Sequence, residues 1–264
     1  MIFCQILHNK FIFIGKESVT MLREYIWDGE MDYGWEDLSE FLKETCSKFI
    51  KVMTETTSLS PNSESKFLLH GECMDRFEKI AGVVADIIKD GIYYEYEDID
   101  CKIQNALKLN SWILLGSLTE TVLQMFLAFY IDDYRKTKWQ QWEEFEKEKV
   151  QTPIFECIQR LVDENNLDAS QARSIKKSIK ETIKEHTKEH QVQKIMLDEL
   201  IQLYIYLDLM NEDEISYLKI IQSNRNGIHS FENRKMGTWR DLQYSVRFFC
   251  YLLEWVEFHL PDCE

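Results

Sequence analysis

Apolar residues recur three and four positions apart along most of the chain after Trp35, and polar residues fill the positions between them. That period matches the 3.6-residue turn of an α-helix, so each such stretch predicts a helix with one buried face. The predicted helices cover residues 35–54, 65–89, 110–134, 153–165, 170–190, 192–209, 213–224 and 238–260. Trp139, Trp142 and Phe145 extend the third pattern, and Pro153 suits the first turn of the next helix.

The stretch from Ser170 to His190 differs from the others because charged residues surround its apolar positions. Ile175, Ile179 and Ile183 repeat every four residues among lysines and glutamates. A narrow apolar stripe of this kind is typical of a solvated helical arm or of one half of a helical hairpin. We expect this charged arm to be one of the two.

The last predicted helix, residues 238–260, carries apolar side chains on two faces. One face holds Leu242, Val246, Phe249, Leu253 and Val256, and the other holds Tyr244, Phe248, Tyr251 and Trp255. Such a helix is either central in its bundle or shared with a second subunit. We expect the second face to form a homodimer or to bind a partner protein.

Composition favours an all-α protein. The 264 residues include nine glycines and three prolines, too few for the turns of a many-stranded β-protein. We therefore predict an all-α helical bundle at 100–264, with the charged arm at 170–190 and an additional N-terminal helical region at 21–99. Residues 1–20 lack a helical stripe and are expected to be either a stretch ahead of a true start at Met21 or an apolar arm.

The charge balance argues against some functions. A formal net charge of −15 repels polyanions, so no membrane binding is expected and any RNA contact must be local. The apolar run 111–131 carries Glu120 and Gln124 near its middle, which favours a core helix over a membrane span. Seven scattered cysteines without a CxxC pair suit free thiols in a cytoplasmic protein. We expect no metal and no cofactor.

The sharpest chemical signal lies between the last two predicted helices. If the first of these helices continues, Arg225 and His229 are one turn apart and share a face. Cations outnumber anions in this part of the chain, where we find Arg225, Arg234, Lys235, Arg240 and Arg247. A local basic patch of this kind is what a phosphate-binding site requires. The substrate-binding candidates are Arg234, Lys235 and Arg240.

The stretch from Gln222 to Phe231 resembles the RN…H signature of HEPN domains. It reads Gln-Ser-Asn-Arg-Asn-Gly-Ile-His-Ser-Phe and lies between a bundle helix and the last helix. An earlier stretch, Trp112 to Thr121, is similar to the Gly-Ser-Leu-x-Glu core helix that often precedes the signature. The resemblance covers residues 100–261, and it does not extend to the N-terminal hundred residues.

Membership of the HEPN superfamily implies a helical bundle, usually dimeric, that is found in toxin and antiphage systems and often acts as a metal-independent endoribonuclease. By this resemblance Arg225 would stabilise the scissile phosphate, Asn226 would be the polar residue that follows it, and His229 would be the acid or base. The chemistry is coherent because RNA supplies its own 2′-OH nucleophile. The enzyme then needs a proton-transfer group and a fixed cation.

A structural interpretation of the same cluster stays open. Three residues separate Arg225 from His229, whereas HEPN nucleases usually have a longer spacing. Asn226-Gly227 also suits the end of a helix, and Arg225 with His229 could satisfy a buried carboxylate such as Glu120. The chain would then be a non-catalytic interaction or assembly module in a defence complex. A pair that opens into a cleft favours the enzyme, and burial of both residues favours the module.

Overall fold

The computed structural model describes residues 34–91, 101–137, 141–142, 147–186, 188–189, 191–228 and 236–260. The expectation for residues 1–20 lies outside them. The described chain is helical apart from one pair of two-residue strands, which confirms the prediction of an all-α helical bundle. It divides into two compact units. The first combines residues up to Asp132 with those from Ile195 onward, and the second spans Asp133–Lys194.

The helices follow one another with short connections. In chain order they are α1 (Trp35–Thr56), α2 (Ser63–Leu68), α3 (Gly71–Lys89), α4 (Cys101–Phe129), α5 (Ile131–Tyr134), α6 (Lys147–Asp163), α7 (Ala169–His186), α8 (Leu197–Tyr206), α9 (Glu212–Arg225) and α10 (Trp239–Phe258). Single 3-10 turns span Thr57–Leu59, Val192–Lys194 and Asn226–Ile228, and the strands are β1 (Gln141–Trp142) and β2 (Lys188–Glu189). Asn211 and Thr238 start α9 and α10, because each side chain accepts a hydrogen bond from a first-turn backbone N–H.

The longest described helix, α4, packs against α3, α8, α9 and α10. Trp112, Val122 and Leu123 on this helix have no solvent exposure. Among the described helices, α4 is long and apolar enough to cross a membrane, and 67% of its most apolar window is buried inside the protein. This burial is that of a core helix, as its sequence predicts.

Within the first unit, the helices before residue 92 share a hydrophobic core with α4 and α10. α1 packs along α3 and also against α10. Phe77 of α3 lies between Phe49 of α1 and Phe249 of α10, with ring centroids 5.7 and 6.2 Å apart. Aromatic side chains bury large apolar areas, so this row stabilises the contact between all three helices.

α10 is buried around most of its circumference. On its second apolar face, Phe248 stacks on Tyr217 of α9 at 5.1 Å between ring centroids, and Trp255 packs against Phe126 of α4 at 5.2 Å. Of the four residues on that face, only Tyr244 is partly exposed. α10 is therefore a central helix, which is the alternative that needs no second subunit. The homodimer stays a prediction, but this face no longer supports it.

In the second unit, α6 and α7 pack against each other as a helical hairpin. The ammonium groups of Lys176 and Lys180 on α7 each lie 5.7 Å from the centroid of the Phe155 ring on α6. β1 and β2 pair antiparallel. The charged arm is thus one half of a hairpin, and its lysines cover an aromatic side chain of the other half.

The structure corrects the sequence expectation at three places. Trp142 lies in a strand and not in an extension of the preceding helix. Pro153 lies inside α6, which already begins at Lys147, so the proline is not in a first turn. The helix predicted over 65–89 is interrupted at Leu69 and His70. Pairing of β1 with β2 holds Trp142 in a strand. His70 starts a new helix, because its side chain accepts the backbone N–H of Glu72.

Removing the Phe77 ring should destabilise the first unit strongly. Phe77→Ala deletes a buried ring between two others, which typically lowers the free energy of unfolding by about 3–5 kcal/mol. Phe67 on α2 is 75% exposed, so Phe67→Ala is the matched control and should change that free energy by about 0.5 kcal/mol or less. Urea titration followed by circular dichroism measures both. Equal losses in the two variants would contradict the proposed core.

The cysteines should differ sharply in reactivity. Burial raises the pKa of Cys46 to about 12 and also raises the pKa of Cys250, whereas Cys157 on α6 is exposed. The thiolate is the reactive form, so at pH 8 iodoacetamide should label Cys157 in the native protein and reach Cys46 and Cys250 only after unfolding in urea. Peptide mass spectrometry reads out the labelling. Rapid labelling of Cys46 without urea would contradict the packing of α1 on α10.

Candidate functional site

The first two residues of the RN…H signature, Arg225 and Asn226, lie where α9 ends. Arg225 is the last residue of α9, and Asn226 begins the 3-10 turn that follows it. The backbone N–H of Asn226 donates to the carbonyl oxygens of Gln222 and Asn224, which closes the last turn. The α-helix therefore ends at Arg225, and Asn226 and Gly227 continue as a 3-10 turn without the left-handed φ of a glycine cap. They also place Arg225 beside the part of the chain that leads to His229.

Arg225 pairs with a carboxylate of the core helix. Its Nη1 donates to Oε2 of Glu120 on α4 at 2.5 Å, and the two side chains are 21% and 16% exposed. The same Glu120 oxygen accepts the backbone N–H of Leu197 at 2.9 Å. Leu197 is the first residue of α8, where a backbone N–H has no partner within its own helix. One carboxylate thus connects α4, α8 and α9.

Gly116 makes room for the Arg225 side chain. A Cβ atom at this position would lie 2.6 Å from Cδ of Arg225 and 3.0 Å from its Cβ and Cγ. Gly116 and Glu120 are four residues apart on α4, so they share a face. The aliphatic part of Arg225 crosses α4 at the glycine, and its guanidinium reaches the glutamate one turn further on. The Gly-Ser-Leu-x-Glu motif therefore has a steric and an electrostatic basis.

Asn224, just before the RN…H stretch, is hydrogen-bonded to Gly237, which follows that stretch. Its Oδ1 accepts the backbone N–H of Gly237 at 2.6 Å, and its Nδ2 donates to the carbonyl of Ile220 at 2.9 Å. A Cβ on Gly237 would lie 3.1 Å from the ring of Trp112, so a larger residue would crowd this contact. The sequence alone did not assign a role to Asn224 or Gly237, because their hydrogen bond spans thirteen positions.

Three predicted site residues, His229, Arg234 and Lys235, lie outside the described residues. Arg240 is exposed on the first turns of α10. Its Nη2 donates to the hydroxyl of Tyr244 at 3.3 Å, and its guanidinium lies 5.8 Å from the centre of that ring. The structure therefore brings Arg225 and Asn226 together at the end of α9 and puts Arg240 on the helix that begins after Gly237.

Lys108 on α4 adds a cation that the sequence analysis did not single out. Burial lowers the pKa of Lys108, and the carboxylate of Asp241 at the start of α10 opposes this effect. The next residue, Leu109, lies 3.9 Å from the position that a Cβ on Gly227 would occupy. Lys108 is therefore on the part of α4 that contacts the turn after α9. Lys108 is far from the RN…H stretch in the sequence, so sequence patterns do not predict that the two lie close together.

The arrangement suits an anion better than a metal ion. Arginine has five N–H donors, and the ion pair with Glu120 uses Nη1. The remaining donors have the geometry that binds phosphate oxygens in pairs. In the described part of the chain, no three His, Cys, Asp or Glu side chains come together in a way that could hold a metal ion.

The contact between Gly116 and Arg225 predicts opposite effects for two Gly→Ala substitutions in helices. Gly116→Ala places a methyl group 2.6 Å from Arg225, and such overpacking typically lowers the free energy of unfolding by about 1–3 kcal/mol. Gly82 on α3 has open space at the same atom, so Gly82→Ala should raise that free energy by about 0.5–1 kcal/mol. Thermal and urea unfolding measure both. A stabilising effect of Gly116→Ala would contradict the close contact.

The chain matches no protein-family model, no curated protein and no solved structure. Its resemblance to HEPN domains therefore rests on the motif residues and stays a prediction. The geometry around Arg225 is the basis on which a function is proposed.

Proposed function

We propose that this chain is a metal-independent endoribonuclease of the HEPN type, which cleaves RNA at a site built from Arg225, Asn226 and His229. The observation that carries the proposal is the fixed position of the Arg225 guanidinium. Glu120 holds it at 2.5 Å, and Gly116 accommodates its aliphatic part, at the end of a helix and four positions ahead of a histidine. The resemblance further implies a role in a toxin or antiphage defence system.

The fixed cation suits the transition state of RNA cleavage. Attack of the 2′-OH on the adjacent phosphorus builds negative charge on the phosphoryl oxygens, and a cation that is already in place stabilises it without reorganisation. Glu120 restrains the arginine, whose side chain would otherwise sample many rotamers. Because the two side chains are 21% and 16% exposed, the pair is largely shielded from bulk water and is not fully buried.

His229 is proposed as the proton-transfer group. Imidazole titrates near neutral pH, so it can take the proton of the 2′-OH or give a proton to the departing 5′-oxygen. In the first case the 2′-oxygen forms a bond to phosphorus as the imidazole takes its proton. The bond to the 5′-oxygen breaks, the 5′-oxygen takes up a proton from water or from the imidazolium, and the product ends in a 2′,3′-cyclic phosphate. No metal ion is needed in this sequence of bond changes.

Cations near the end of α9 are proposed to bind the RNA backbone. Arg240 lies on the first turns of α10, and Lys108 lies on the part of α4 next to the turn after Arg225. Arg240 also packs over the Tyr244 ring, an arrangement in which a guanidinium presents its outer face for stacking on a base. These local groups supply the attraction that the net charge of −15 opposes.

The second candidate function is a non-catalytic assembly or sensor module of a defence complex. The same ion pair favours it, because Arg225 and Glu120 connect α4, α8 and α9 and so have a structural use without any substrate. The two proposals differ in what mutation removes. The enzyme loses activity while it stays folded, and the module loses stability.

Metal-free RNA cleavage tests the proposal. In EDTA, the wild type should cleave a pool of cellular RNA to products with 2′,3′-cyclic phosphate ends, as read by mass spectrometry. His229→Ala should lower the rate by about 10²–10⁴-fold, the usual loss for a proton-transfer group. Arg225→Lys keeps the charge but loses the fork that holds a phosphate, so it should also be strongly impaired.

His70→Ala is the matched control, because His70 lies at the start of α3 and only caps that helix. It should cleave RNA at the wild-type rate. Melting temperatures of all variants are measured in parallel. Wild-type protein that is folded but inactive, together with a lower melting temperature for Arg225→Lys, would contradict the enzyme and favour the assembly module.

A further inference from the structure

A cavity of about 460 Å³ opens in the first unit where α8 ends and α9 begins. Three apolar side chains line it: Ile205, Met210 and Ile215. Three charged side chains lie at its rim: Asp208, Glu212 and Lys219. This volume falls within the range of ligand pockets in proteins, and the combination of an apolar floor with a few charged groups is typical of them.

The apolar surface continues beyond the cavity. Met210 and Ile215 are nearly buried and form its floor, whereas Ile205 is 47% exposed at its edge. Tyr206, the last residue of α8, is 52% exposed. An apolar cavity that opens beside an exposed isoleucine and has a polar rim is suited to a protein segment.

The acidic groups of the rim have no counter-ion within the described chain. Neither Asp208 nor Glu212 forms an ion pair with another described residue, and the rim contains two carboxylates against the one ammonium of Lys219. An apolar segment that carries lysine or arginine would therefore complement this surface in charge as well as in hydrophobicity.

Asp208 stands where a helix end favours glycine. The backbone N–H groups of Asp208 and Leu209 donate to the carbonyls of Ile205 and Tyr204 at 3.1 and 3.0 Å, which is the hydrogen-bond pattern of a helix end with a left-handed residue. Asp208 has φ of 53°, a conformation that glycine adopts at lower energy. An aspartate here fixes a carboxylate at the rim at the expense of some stability.

We propose that this cavity docks a basic amphipathic helix of a partner protein. An aliphatic side chain of the partner lies between Ile205, Met210 and Ile215, and its lysines or arginines lie next to Asp208 and Glu212. The occupant is a separate, basic partner, because the two carboxylates of the rim are complemented better by a basic segment than by a chain of net charge −15. The proposal is independent of RNA cleavage.

A fluorescein-labelled peptide of leucine and lysine at helical spacing is the probe, and fluorescence anisotropy at 0.15 M salt is the readout. The wild type should bind it. Asp208→Gly/Glu212→Gln should weaken binding about fivefold or more, as expected for loss of two charge contacts at an interface rim. Asp208→Gly alone should keep or raise the melting temperature, which separates binding from folding.

Asp75→Asn/Glu78→Gln on α3 is the matched control, because it removes the same net charge at exposed positions away from the cavity. It should change binding less than twofold. Ile205→Ser should weaken binding of the leucine-lysine peptide and should not change binding of a serine-lysine peptide. Equal weakening by the two charge pairs, or equal binding of both peptides to the wild type, would overturn the proposal, because the general negative field would then explain the attraction.

Discussion

A guanidinium that is mostly removed from water requires a carboxylate nearby, and Arg225 finds one in Glu120 on the core helix. Three helices of the first unit, α4, α8 and α9, meet at this contact. α9 must approach α4 closely enough for the arginine to cross Gly116, and α8 must begin where its first N–H reaches the same carboxylate. Loss of one member of a buried ion pair can lower the free energy of unfolding by about 3–5 kcal/mol, and partial exposure of this pair reduces that figure.

The structural and catalytic interpretations of Arg225 are compatible. A cation that must stabilise a transition state acts best when its position is fixed before the substrate binds. The contacts that fix Arg225 are among those that join α4 to α9, so part of the stability of the bundle is located at the proposed site. Asn224 adds to this by anchoring Gly237 at 2.6 Å, on the far side of the segment that contains His229.

Sequence patterns predicted the parts of the fold that local interactions determine. α9 and α10 lie close to their predicted ranges because each begins at a side chain that caps its first turn. The structural interpretation of the Arg225 cluster also named Glu120 as a carboxylate that Arg225 could satisfy, and the two side chains do form an ion pair. The capping signals are readable over a few residues, so they require no knowledge of how the helices pack.

The remaining features depend on residues far apart in the sequence. The second face of α10 is covered by α4 and α9, which no single helix pattern reveals. The contact of Gly116 with Arg225 and the Asn224–Gly237 hydrogen bond likewise follow from helix packing. Pro153 lies inside α6, where a proline removes one backbone hydrogen bond. The helix that contains it packs on α7.

We expect Glu120 to affect RNA cleavage by holding Arg225 in position. A double-mutant cycle measures this directly, with cleavage rates in EDTA for the wild type, Glu120→Gln, Arg225→Ala and the double variant. Glu120→Gln should lower the cleavage rate when Arg225 is present and should have little further effect once Arg225 is alanine. The effects of the two substitutions on the rate are then strongly non-additive. If Glu120→Gln lowers the cleavage rate by the same factor with and without Arg225, Glu120 does not act through the arginine.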